Sequence, residues 1–254
     1  MPPVPAIHAR TLPGPDRHIV LLHGWGLTHA SLMPMAELLG SVGTRHVLDL
    51  PGFGQSEDPP DSWDTLDYTH RVAAWLDDKG IAKADFVGHS FGGRLSIRMA
   101  CHHPDKVRSI TLVAGAGLRP KRSWKGRLRV GFSLWLGKFA RMLPAFVREP
   151  LLRWRAGKFG SADWKAVKEV LRPVLSRVVA EDLAPEAEKV RAPALLLYGR
   201  NDTETPPNMG ERYHALIPGS ELFLLDDQDH HTVLSSGVHL VATRLKRFYE
   251  KVPP

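Results

Sequence analysis

At 254 residues, with 43% hydrophobic and 24% charged residues, the chain is long enough for one large α/β domain, or for a core carrying an insertion, and its composition is ordinary for a globular protein. No apolar run nears the roughly 20 residues that span a bilayer. The start, MPPVPAIHAR, lacks the pattern of a secretory signal, and the single Cys101 rules out an internal disulfide; a cytoplasmic protein is expected. The net charge of +7 is uneven: residues 118–185 hold 16 Lys and Arg against 5 Asp and Glu, the remainder 18 against 22.

In chain order, PAIHARTLPG (5–14) supplies one strand, confined by its prolines to a sheet edge. Short apolar runs follow at HIVLLHG (18–24), RHVLDLPG (45–52), ADFVGHS (84–90), VRSITLVAG (107–115), APALLLYG (192–199) and SELFLLDD (220–227). Their continuous apolarity predicts strands in a sheet covered on both faces. Between them SLMPMAELLGSVG (31–43), TLDYTHRVAAWLDDKG (65–80) and GGRLSIRMACHHP (92–104) have helical spacing and run into Gly or Pro. Cys101 is expected as a small buried residue on the third of these. A last helix is predicted over about 236–250. Alternation of strand and helix predicts an α/β fold with a mostly parallel central sheet of six to eight strands, flanked by helices.

Residues 118–188 break that alternation. They hold helical stretches, four of the seven tryptophans (124, 135, 154 and 164) and the basic excess, with no convincing strand. The predicted organisation is a core made of residues 1–117 and 189–254, with a helical cap or lid at 118–188 lying over the carboxyl edge of the sheet.

The stretch DFVGHSFGGRLSIR (85–98) sets Ser90 between Gly88 and Gly92 where a strand turns into a helix. A tight turn there strains the backbone, and small neighbours two positions either side let strand and helix nearly touch; the product is an exposed hydroxyl at a helix N-terminus. Serine is a weak nucleophile by itself and needs a base, which in turn needs an orienting acid. With HGWG (23–26), DLPGFGQS (49–56), GHSFGG (88–93), GRNDTETPP (199–207) and a late histidine in this order, the chain resembles the α/β-hydrolase superfamily over about residues 15–250, and looks like a capped esterase or lipase.

The resemblance implies Ser90 as nucleophile, Asp202 as acid with Glu204 as fallback, and His230 as base with its neighbour His231 as the alternative. Asp229 stands where the family usually has Gly before that histidine. It implies an oxyanion hole formed by the backbone N–H groups of Trp25 and Phe91, with no metal and no cofactor. His23 and His89 are expected to be structural, His102 and His103 solvated at a helix end, and Arg94 in an ion pair on a helix surface. Asp226, Asp227 and Asp229 either raise the basicity of His230 or form a solvated acidic loop.

The implied activity is carboxylic ester hydrolysis through an acyl-enzyme, on short or medium acyl chains. Carbon–carbon bond hydrolysis, lipase, perhydrolase and aminopeptidase activity are alternatives within the same chemistry. A hydrolase-fold protein that binds a ligand without turnover is the alternative of another class. For the basic segment three readings compete: solvated charges around an aromatic acyl pocket, an Arg that meets a substrate carboxylate, or an amphipathic surface on anionic lipid. Nucleic acid is not an expected partner, because the charge is local and no binding motif accompanies it.

Overall fold

The computed structural model describes residues 4–60, 63–119 and 168–253. Before residue 119 the elements are β1 (Ala9–Leu12), β2 (His18–Leu22), α1 (Met33–Leu38), β3 (Thr44–Leu48), α2 (Thr65–Asp78), β4 (Ala84–His89), α3 (Phe91–His102) and β5 (Val107–Val113). After residue 168 come α4 (Arg172–Ala180), α5 (Ala184–Ala187), β6 (Ala194–Gly199), α6 (Pro207–Leu216), β7 (Glu221–Leu225) and α7 (Val238–Lys251).

The seven strands form one sheet in the order β1-β3-β2-β4-β5-β6-β7. β1 runs antiparallel to β3 at the edge, where its flanking prolines are tolerated; the other pairs are parallel. β4 and β6 are buried along their whole length, whereas β7 is half-buried at four of its five residues because it closes the other edge. Pairing sets His89 beside Val113 and Val113 beside Leu197. The carboxyl ends of β4 and β5 therefore finish level, β6 runs two residues further to Gly199, and the loops that follow them share one rim, the place where open parallel sheets hold ligands.

Alternation within the strands decides which side chains meet which helix layer. Ile19, Leu21, Val47, Val87, Val113, Leu195 and Leu197 point to one face, where α1 and α7 cover them with Met35, Val241, Leu245 and Phe248. On the other face α3 packs on β4 and β5, α2 packs on α3, and α6 packs on β6 and β7. α2 begins with a capping box: the Asp64 carboxylate accepts the N–H of Leu66 and Asp67, and Asp67 accepts the N–H of Asp64. Cys101 is only half-buried and is a free thiol. His102 is exposed, and His103 instead places Nε2 2.9 Å from Nδ1 of His70 on α2.

The chain divides into two compact units, one of Met1–Leu118 with Pro173–Pro254, the other Arg119–Arg172. Most of the segment expected as a cap lies outside the described residues. Its carboxyl part does not: residues 173–188 pack with the sheet unit. Val174, Leu175 and Val178 of α4 are buried, and the N–H of Leu183 donates to the carbonyl of Gly117 at 2.9 Å. The anchor is Glu181, whose carboxylate accepts the Thr65 N–H at 3.0 Å and the Thr65 hydroxyl at 2.6 Å. It also faces the guanidinium groups of Arg94 and Arg98, each at 3.8 Å. Arg94, expected in a surface ion pair, is thus largely covered, with its side chain 12% exposed.

Removing the carboxylate takes the counter-charge from the covered Arg94 and leaves the Thr65 N–H and hydroxyl without their acceptor, while Arg98 keeps Asp64 at 3.4 Å and Glu186 at 3.6 Å. Glu181→Ala is expected to lower stability by about 2–4 kcal/mol, seen as a lower urea midpoint with an unchanged slope. A midpoint equal to that of the wild type would show that the ion pairs carry no stability.

Candidate active site

The turn from β4 into α3 puts Ser90 at φ 47° and ψ −105°, a conformation that residues with a Cβ rarely adopt. The glycines around it are required by space. A Cβ on Gly88 would stand 2.3 Å from the Gly92 carbonyl oxygen, and one on Gly92 would stand 2.1 Å from the Leu22 carbonyl oxygen. The strained turn is held from several sides: Ser90 N–H donates to Val113 O at 3.1 Å, and Ser90 O accepts from Gly93 N–H and Ala116 N–H. Phe91 is the first residue of α3, so its N–H has no partner within the helix.

The HGWG loop lies across this helix start, since Gly92 N–H donates to His23 O at 3.1 Å. Leu27 N–H closes a tight turn on Gly24 O, and Gly26 at φ 74° supplies the left-handed position that such a turn needs. Trp25 at its corner stacks edge-on against both Phe53 and Phe91, with ring centroids 5.0 and 5.2 Å away. His23 fixes the loop from within. Its Nδ1–H donates to Gly24 O at 2.7 Å, and its Nε2 accepts Leu50 N–H at 3.0 Å, which requires the neutral ring. Burial lowers its pKa to about 4.

Leu50 opens the DLPGFGQS loop, which is tied down by Asp49. That fully buried carboxylate accepts the N–H of His29 at 2.7 Å and of Gln55 at 3.0 Å, and Nδ1–H of both His8 and His29 at 2.9 Å. Burial by itself would raise its pKa; these donors together outweigh that and hold it below the usual carboxylate range. His8, His29 and Asp49 lie close enough together to share an ion, yet both carboxylate oxygens already receive protein donors, and the cluster is read as a hydrogen-bonded knot.

The expected acid and base come together. His230, 5% exposed, places Nδ1 2.9 Å from Oδ2 of Asp202. Asp202 accepts the N–H of Glu204 and of Thr205, each at 2.8 Å, on Oδ1. Thr205 Oγ stands 2.8 Å from Asp202 Oδ2, 3.0 Å from Ala114 O and 3.1 Å from His230 Nδ1. Burial pushes the Asp202 carboxyl up, but the hydrogen bonds from His230 and Thr205 prevail and hold it down as an anion. Glu204, the fallback acid, sits at the opposite end of the imidazole, with Oε2 3.6 Å from Nε2 of His230. His231 is exposed and faces Glu204 instead of the interior.

Ser90 and His230 are linked through His89, the last residue of β4. His89 Nε2–H donates to the backbone carbonyl of His230 at 2.9 Å, and the two rings lie 4.9 Å apart. Burial lowers the His89 pKa to about 3, so this link is made by a neutral ring. The acidic loop does not surround the base. Asp229 accepts the N–H of His231 and of Thr232, and Asp226 pairs with Arg200. His89 has the structural role expected of it, with His230 as a partner that no local pattern announces; Thr205 was not foreseen, and its short spacing from Asp202 was the available signal.

A family model described as the alpha/beta hydrolase fold matches residues 17–163. The chain belongs to that family. A second model, described as TAP-like protein, matches residues 173–250 of this α/β hydrolase. The chain is 31% identical over 233 residues to the pimeloyl-acyl-carrier-protein methyl ester esterase of Vibrio cholerae serotype O1, covering 85% of this chain and 88% of that one. It is 28% identical over 247 residues to the esterase of the same description from Neisseria meningitidis serogroup B, covering 89% and 90%. Among solved structures it resembles the enol-lactonase from Burkholderia xenovorans LB400, with a TM-score of 0.73, 24% identity and 95% of each chain covered, a likeness of fold. No helix among the described residues is long and apolar enough to cross a membrane.

Three buried imidazoles make this hydrolase sensitive to acid. The pKa values of His23 and His46 are lowered from 6.5 to about 4, and that of His89 to about 3, chiefly by burial. Between those values and 6.5 the unfolded chain binds more protons than the folded one. Stability is therefore complete above pH 6.5 and falls as the pH drops, with a slope approaching roughly 4 kcal/mol per unit near pH 5 when three protons are involved. Urea midpoints are expected to fall steeply from pH 7.5 to pH 5; equal midpoints would contradict neutral burial of these rings.

Proposed function

We propose that this chain is a serine esterase working through an acyl-enzyme. Ser90 Oγ attacks the ester carbonyl and passes its proton to His230 Nε2, while Asp202 holds the Nδ1–H tautomer and stabilises the imidazolium as it forms. The N–H groups of Phe91 and Trp25 receive the oxyanion, a contact that strengthens as charge develops. His230 returns the proton to the departing alcohol, and water, deprotonated by the same ring, then frees the acid and restores Ser90. The observation that carries this reading is the buried Asp202–His230 hydrogen bond at 2.9 Å, tied through His89 to the strained turn bearing Ser90. A protein that only bound a ligand would have no need of a buried anion aligned on an imidazole at that place.

The substrate we propose is an ester of a short or medium acyl chain with a small alcohol, presented on an acidic carrier. The names of the curated relatives support a methyl ester on a carrier protein. The 16 Lys and Arg against 5 Asp and Glu in residues 118–185 supply the complementary charge. A cap formed by this basic segment would select the substrate, while the groups around Ser90 carry out the chemistry.

With a chromogenic short-chain ester, Ser90→Ala is expected to lose at least about 10³-fold in turnover and its pre-steady-state burst. Asp202→Asn is expected to lose about 10³- to 10⁴-fold. A Ser90→Ala variant as fast as the wild type would end the esterase reading. For the carrier, kcat/KM on a carrier-bound methyl ester should fall about tenfold or more from low to high salt, as steered encounters do, and change little for the free methyl ester. Equal salt dependence of the two would remove the acidic carrier and leave the chemistry intact.

A further inference from the structure

His230 carries a carboxylate at each end of its ring. Nδ1 meets Asp202 in the buried triad arrangement, whereas Nε2, the nitrogen that has to face Ser90, stands 3.6 Å from Glu204 Oε2. The other oxygen of Glu204 stands 3.5 Å from Nε2 of His231. One carboxylate is therefore shared by two imidazoles whose rings lie 5.3 Å apart edge to face. Its backbone is fixed by the Glu204 N–H bond to Asp202 Oδ1 at 2.8 Å, and its side chain, 53% exposed, is free to swing.

We propose that Glu204 is a positioning residue for the reaction: its carboxylate competes with Ser90 for the Nε2 side of His230 and favours the protonated, resting ring, while His231 draws the same carboxylate away. The inference rests on His230 serving as the base. A negative charge within about 4–6 Å favours the charged form of an imidazole, so Glu204 delays the release of the Nε2 proton to solvent, and with it the ability to accept the proton of Ser90. Among the described residues, Thr205 Oγ also stands 3.1 Å from Nδ1 of His230. Asp202 acts at Nδ1; His89 is neutral and donates to the backbone; Asp229 points its carboxylate at the N–H groups of His231 and Thr232.

The test is the acid limb of kcat/KM against pH for a neutral chromogenic ester. Glu204→Gln keeps the size and the backbone donor to Asp202 but removes the charge. At low salt its acid limb should move to lower pH. On the lower part of the limb it should be about 1.5- to 5-fold more active than the wild type, each relative to its own plateau, as suits a half-exposed pair. Glu204→Asp should fall between the two. His231→Gln, which leaves Glu204 to His230 alone, should move the limb to higher pH. Half-molar salt should shrink the difference between Glu204→Gln and wild type. A Glu204→Gln profile superimposed on that of the wild type at low salt would overturn the inference. Ser90→Ala run alongside separates the two failures: if it is inactive while the profiles superimpose, only the role of Glu204 falls, and if it is fully active, the esterase reading falls as well.

Discussion

The near-contact of β4 with the first turn of α3 is the constraint from which the rim takes its shape. Gly88 and Gly92 have no room for a Cβ against the Gly92 and Leu22 carbonyls, and a Cβ on Gly93 would come within 2.8 Å of Gly115 Cα. Four backbone segments, ending β2, β4 and β5 and beginning α3, thus converge with nothing between them. A positive φ at a residue with a side chain costs of order 1–3 kcal/mol, and the bonds of Ser90 to Val113, Gly93 and Ala116, with that of Gly92 to His23, hold Ser90 there. The strained turn sets Ser90 at the rim, at the start of α3.

Around that turn the charges follow one rule. Imidazoles beneath the rim are kept neutral by burial, and carboxylates are kept ionised by convergent donors. Asp49 and Asp202 are built alike, each fully covered, each with two backbone N–H groups and imidazole Nδ1–H on its oxygens. They differ in what the imidazole does next. His29 and His8 end at Asp49 in a knot that steadies the loop behind Trp25, whereas His230 presents its second nitrogen toward the rim. The same chemical pair ties down a loop in one place and, in the proposed mechanism, orients the base in the other.

Much of this was legible in the chain, for reasons that differ from residue to residue. The sheet was readable because β4 and β6 are apolar at every position, the mark of strands buried on both faces, and because the prolines around β1 fit only an edge. Ser90, Asp202 and His230 follow the ends of β4, β6 and β7 by one, three and five residues, so local pattern suffices to place them at the rim. What escaped depends on side chains from distant segments meeting. Glu181 comes to Thr65 from 116 positions away, His89 reaches the carbonyl of His230 across 141, and nothing in a linear pattern announces either. Arg94 looked like a surface residue because its helix is amphipathic; its covering comes from the returning segment, which begins with no strand and offers no periodic cue. The range expected for the inserted segment ran too far for the same reason, since α4 and α5 share its composition and still pack with the sheet.

Leu183 N–H donates to Gly117 O, with Glu181 beside it. This bond closes the base of a long excursion, bringing the point where the chain leaves the sheet unit next to the point where it returns. Once the ends are held together, the entropy cost of the loop grows only with the logarithm of its length, so residues between them can change in number and charge with little effect on the sheet. The groups around Ser90, by contrast, tolerate no added atom at Gly88 or Gly92. The inserted segment and the turn around Ser90 are thereby under separate steric constraints in one chain. The charge divides along the same line: residues 118–185 hold 16 Lys and Arg against 5 Asp and Glu, while the remainder holds 18 against 22.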